Sequence, residues 1–159
     1  MRRSRGFAKN NMKKTKQGWY LSSWYDPVYR QNFWLTVGAT SEQVERWAKK
    51  ELSCEVNGND IGGFGCVIPL YIETDGINGC IIWISQWEPT PIMISTVAHE
   101  AVHAADFTLN DMAGVSRGDS FDKNEAYAYY VGYITEKILE ELSSNPLVAS
   151  GKYKKTVKK

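Results

Sequence analysis

The chain has 159 residues, 43% of them hydrophobic and 13% aromatic, which suits one domain with a buried core and leaves little room for two. No run of about 18 apolar residues occurs, so no membrane span is expected, and the basic N-terminus lacks the apolar stretch of a secretory signal. The net charge of +1 conceals an asymmetry: residues 1–18 and 151–159 hold 12 of the 19 basic residues and none of the 18 acids, so the body carries 7 basic against 18 acidic residues, a formal charge of −11.

Basic ends of this kind can hold nucleic acid or an acidic partner, or can be solvated tails that offset the charge of their own domain. The sequence divides into a basic flexible arm at 1–18, a folded domain at 19–143 and a basic C-terminal tail at 144–159. Cys54, Cys66 and Cys80 are odd in number and lack CxxC spacing, which points to reduced thiols in a reducing, cytoplasmic compartment.

Residues 19–37 are rich in aromatic and β-branched types (Trp19, Tyr20, Trp24, Tyr25, Phe33, Trp34, Val37) and predict strands. Thr40-Ser41-Glu42-Gln43 carries a capping pattern that opens a polar helix to about Leu52. Asn57–Asp60 and Gly62–Gly65 predict loop, and the latter lacks the Lys and Ser/Thr of a phosphate-binding loop. A strand at 66–74, a turn at 75–79 and a strand at 80–87 predict a hairpin. Thr90-Pro91 starts a helix to about Thr108. A loop follows, then a final helix from about Asp122 to Leu142, stopped by Asn145-Pro146. This order predicts an α+β fold with a small, mainly antiparallel sheet and helices on one face.

The chemistry lies in His99-Glu100-Ala101-Val102-His103. Residues four apart share a helix face, so His99 and His103, the only two histidines of the chain, point the same way at a spacing suited to two legs of a tetrahedral zinc site. Glu100 lies about 100° round from His99 and can lean toward a metal-bound water without ligating. In this HExxH arrangement zinc acidifies the water and the Glu takes its proton. On the same helix, Ile94, Ala98, Ala101 and Ala105 share a face, where small residues allow close packing on a support. Asp106 falls on the histidine side, where it can orient an imidazole.

A zinc hydrolase needs a third protein ligand and an open fourth position. Glu125 is the best candidate, with Asp119 and Asp122 as fallbacks; the competing role for Asp122 and Glu125 is a capping box. Beside the apolar stripe Tyr127, Val131, Ile134, Ile138 and Leu142, the strip Glu125, Ala128 and Gly132 lacks bulk and would let the two helices approach. Asp106 and Leu109 stand where a metzincin would have Gly and His, which excludes that class. Among the tyrosines of the last helix, Tyr129 lies nearest the Glu125 face and is the expected oxyanion donor.

An HExxH helix followed by a short loop and a Glu near the start of a long helix resembles a minimal gluzincin. It is also similar to the small zinc peptidases encoded by tailed phages and prophages. The resemblance covers about residues 66–142. It implies a zincin-like domain binding one Zn2+ through His99, His103 and Glu125, with Glu100 as general base and acid. It further implies peptide-bond hydrolysis in a protein substrate, in the host cytoplasm if the chain is phage-encoded. Many gluzincins carry an Asp four residues after the ligand Glu; Tyr129 stands there, so that role is vacant or falls to Asp106. The strand before the HExxH helix aligns substrate in such proteases, which implies a peptide-binding edge at Cys80–Trp87 with Trp83, Ser85 and Trp87. The alternative function is a catalytically silent zinc-fold protein that uses its basic ends on nucleic acid or an acidic partner. Glu100 discriminates the two, because a structural zinc site has no use for a carboxylate there.

Overall fold

Strands form where β-branched and aromatic residues can alternate between two buried faces, and the order in which they pair decides which edge stays free. The structure, a computed structural model, describes residues 12–72, 77–115 and 124–151. Five strands make one sheet: β1 (Lys13–Lys14), β2 (Tyr20–Asp26), β3 (Gln31–Val37), β4 (Gly65–Ile72) and β5 (Ile77–Ile84). Their order is β1-β2-β3-β5-β4. All neighbours are antiparallel except β3 and β5, which are parallel. The fold is α+β with a mostly antiparallel sheet, as the sequence indicates.

The β2–β3 hairpin turns at Asp26-Pro27-Val28-Tyr29-Arg30, where an Asp26 carboxylate oxygen accepts from the Val28 amide at 2.8 Å. The crossover from β3 to β5 passes through α1 (Ser41–Trp47), whose Thr40 and Gln43 form the expected capping box. The β4–β5 hairpin lies about three residues earlier than its composition suggests, with Ile77, Asn78 and Gly79 already in strand. Gly79 is required where it stands: a Cβ there would lie 2.1 Å from the Asn32 carbonyl oxygen of β3.

Two long helices, α2 (Pro91–Asp106) and α3 (Glu125–Ser144), cover one sheet face with the short α4 (Pro146–Ala149). Their core joins Phe33, Leu35, Val37, Cys80, Ile82 and Ile84 of the sheet to Val97, Ala101, Ala104, Ile134, Ile138 and Leu142. The helices are not confined to one face. Residues of the opposite strand parity, Ile81, Trp83 and Leu70, pack with Trp19, Val44 and Ala48 under α1. A sheet apolar on both faces needs a cover on each.

The arm and tail boundaries need correction. Met12 is 3% exposed, its amide donates to the Ser144 hydroxyl, and its carbonyl accepts from Asn145. Lys13 and Lys14 pair with β2. Residues 12–18 therefore belong to the domain. So do residues 144–151, because Asn145 caps α4 and Val148 is fully buried. Lysines facing solvent at an edge strand read as a charged arm in the sequence, yet a single buried Met12 anchors the segment. Residues 1–11 and 152–159 lie outside the described part.

Asp26 is buried at 2% exposure and accepts from the Tyr130 hydroxyl at 2.6 Å, which ties α3 to the β2 end of the sheet. Tyr130→Phe should cost about 1–3 kcal/mol, because it leaves a buried carboxylate oxygen short of a donor. A urea titration of the two proteins checks this, and equal midpoints would show that the bond contributes nothing.

Candidate metal centre

Helix α2 presents three different faces, and its sequence dictates each. Met93, Val97, Ala101, Ala104 and Ala105 are buried against the sheet and α3. Ala101 and Ala105 take the packing role expected of them, Ala98 is half-buried, and Ile94 is 45% exposed, so it is not part of that face. Its place in the first turn, before the helix passes under the sheet, accounts for the difference. His99 and His103 are exposed. Their Nε2 atoms stand 3.1 Å apart, with the rings at 78° to one another. Two ligands at about 2.0–2.1 Å from a tetrahedral zinc lie roughly 3.3 Å apart. The pair is thus set at ligand spacing, a geometry that also serves an N–H···N hydrogen bond between the rings.

Glu100 departs from its two neighbours in being only 4% exposed. The start of β4 covers it. A Cβ on Gly65 would stand 2.9 Å from Glu100 Cγ, 3.1 Å from its Oε1 and 3.0 Å from Thr96 Cγ2. Only glycine lets the strand backbone come this close. The sequence marks Gly62–Gly65 as a connection near the cleft but does not show that Gly65 presses on the carboxylate. Burial pushes the Glu100 carboxyl above its usual range, and the two imidazoles pull it partly back. A carboxylate so placed is a better proton acceptor than one in open water. Beside it an open cleft of about 270 Å³ is lined by Phe64, Gly65, Ile92, Ser95, Thr96, His99 and Glu100.

Glu125 is the first residue of α3 and is exposed. Tyr127, two residues on, donates to Asp106 and reaches the Val102 carbonyl at 3.3 Å, so the first turn of α3 sits beside the second half of α2. Asp106 spends one carboxylate oxygen on Tyr127 and so ties the two helices together. The strip Glu125, Ala128 and Gly132 does not face α2 as expected. It lines an open groove with Tyr129, Tyr133 and Glu136, and a Cβ on Gly132 would meet nothing within 4 Å. The apolar stripe turns Tyr127 and Val131 toward α2 instead, which rotates the small residues outward. Among the described residues, no three His, Cys, Asp or Glu side chains group closely enough to hold a metal. The two histidines fit a zinc site; Glu125 is near their helix but not gathered with them. Asp119 and Asp122 lie outside the described residues.

Tyr129 is 76% exposed. The hydroxyls of Tyr127 and Tyr130 are already engaged, with Asp106 and Asp26.

The expected substrate strand is a clear correction. β5 lies between β3 and β4, so both its edges are taken. Trp83 is 8% exposed and its indole donates to the Ala39 carbonyl at 2.8 Å, Trp87 is 4% exposed, and the Ser85 amide donates to the Phe64 carbonyl at 3.0 Å. Adjacency in sequence suggested β5, but strand order is set by long-range pairing. The outermost strand is β4. Since the Phe64 carbonyl points to β5, alternation turns the backbone groups of Gly65, Val67, Pro69 and Tyr71 to the open side. Pro69, which has no N–H to give, sits where β5 needs none.

No family model matches the chain, and neither a curated protein nor a solved structure is significantly similar to it. Among the described residues no helix is long and apolar enough to cross a membrane.

The contact of Gly65 with Glu100 is testable through stability alone. Gly65→Ala should cost about 1–3 kcal/mol through overpacking. Adding Glu100→Ala should recover part of that loss, because the nearest atoms it meets belong to Glu100. Strict additivity in a double-mutant cycle by thermal melting would contradict the contact.

Proposed function

We propose that this chain is a zinc-dependent peptidase acting on a protein or peptide substrate in the cytoplasm. The observation that carries the reading is the arrangement on α2: two imidazole Nε2 atoms 3.1 Å apart, with a buried carboxylate between them in sequence and the unpaired β4 edge above it. His99 and His103 hold the ion, and Glu125 completes the set by leaning across from the first turn of α3. Zinc held there supplies Lewis acidity, which acidifies water and polarises a carbonyl.

The remaining roles belong to side chains. Glu100 accepts the proton that water gives up as its oxygen adds to the peptide carbonyl carbon. It returns that proton to the amide nitrogen as the C–N bond breaks. Its burial against Gly65 fixes the carboxylate and raises its affinity for a proton. Tyr129 has a hydroxyl free of the helix–helix and helix–sheet bonds that occupy Tyr127 and Tyr130, so it serves as oxyanion donor. Asp106 acts by fixing Tyr127 and with it the start of α3. The substrate backbone pairs with the open edge of β4 at Gly65 and Val67, which replaces the edge expected at Cys80–Trp87. The three free cysteines are consistent with a reducing compartment; Cys80 is fully buried, and burial raises its thiol.

Glu100→Gln should lower hydrolysis of a denatured protein substrate by about 10²–10⁴-fold while zinc stays bound. Full activity in that variant would remove Glu100 as the base. Glu125→Ala should weaken zinc affinity by at least about tenfold, read by competition with a colorimetric chelator. An unchanged affinity would place the third ligand elsewhere, with Asp119 and Asp122 next to be replaced.

A further inference from the structure

Two large apolar side chains stand in solvent on the walls of the cleft beside Glu100. Phe64 is 50% exposed and Ile92 is 58% exposed, and they come from different elements, the lead-in to β4 and the first turn of α2. Isolated exposed hydrophobics need no explanation, but a pair converging on one cleft next to a buried carboxylate does. Both are held by backbone bonds. The Phe64 carbonyl accepts from the Ser85 amide, and the Ile92 carbonyl accepts from the Thr96 hydroxyl at 2.9 Å. That bond ties up the Thr96 hydroxyl, while its methyl lies over Gly65, so this wall is apolar too. The cleft, at about 270 Å³, falls just under the size of pockets that take a whole small molecule. It has room for one side chain.

We propose that this cleft is a specificity pocket for a single bulky apolar side chain, of leucine or phenylalanine kind, on a peptide laid along the open edge of β4, with Phe64 and Ile92 determining the choice. The inference rests on the peptidase reading for its substrate class. Side chains alternate along a paired strand, so every second residue of such a peptide faces α2, as Gly65 and Val67 of β4 do. Glu100 at the inner end rejects an acidic side chain by charge. Apolar walls offer a basic one no counter-charge near the mouth.

The test uses the isotope-labelled wild-type chain and acetyl-Gly-Gly-Xaa-Gly-Gly-amide peptides with Leu, Phe, Ala, Asp or Lys at Xaa, followed by amide chemical shifts. The Leu and Phe peptides should move the amides of Phe64, Gly65, Ile92 and Thr96 and bind at least about tenfold more tightly than Ala. Phe64→Ser and Ile92→Ser change exposed positions that the fold tolerates, and each should level that preference. Equal binding of all five peptides, a preference for Asp or Lys, shifts confined to other amides or no binding at all would overturn the proposal. Binding needs neither metal nor turnover, so the two readings fail separately. A pocket preference in a chain that holds no zinc refutes the peptidase reading and keeps the pocket, whereas zinc-dependent hydrolysis indifferent to Xaa does the reverse.

Discussion

The candidate site depends on one packing contact, the strand backbone at Gly65 laid directly on the Glu100 side chain. A carboxylate in the middle of a helix ordinarily faces water. Here alanines at 101, 104 and 105 let α2 settle deeply against the sheet, and the missing side chain at 65 lets β4 close over Glu100 from the other side. The same closeness leaves His99 and His103, roughly a quarter-turn away, in solvent and level with the open edge of β4. One helix thus presents a buried acid and two exposed imidazoles within five residues. Any change in how α2 seats on the sheet would move all three together.

The second helix is bound to the first by a narrower link. Tyr127 bridges to Asp106 and Val102, while Tyr130 ties the same stretch of α3 to Asp26 at the end of β2. These bonds fix the height of Glu125 relative to α2. They leave its side chain on the outward face, with Tyr129 and Gly132. A metal at the histidines would therefore draw Glu125 inward, so the first turn of α3 is where metal binding and local order are expected to be linked.

Much of this was legible from local pattern. The HExxH spacing, the capping box at Thr40, the strands around Phe33 and Ile82, and the break at Asn145-Pro146 each depend on residues near one another in the chain. The misread features depend on distant partners. Which strand keeps a free edge follows from β5 pairing with β3 across the α1 crossover, so Trp83 and Trp87, taken for substrate contacts, are core residues. Met12 is held by Ser144 and Asn145, more than 130 positions away, and nothing in the basic run around it announces that anchor. Composition likewise showed that Ala128 and Gly132 are small but not which way α3 is rotated; Tyr130 and its bond to Asp26 set that rotation. Phe64 and Ile92 escaped notice because neither belongs to a motif, and their relation exists only once β4 and α2 lie side by side.

The most direct measurement is the zinc content of the full chain purified without a metal-affinity tag, beside that of His99→Ala prepared identically. The account predicts about one zinc per chain in the first and almost none in the second, with both proteins folded. A folded wild-type chain that takes up no zinc even when supplied with it would make the 3.1 Å contact of the two histidines a hydrogen bond between rings, and the central claim would be wrong.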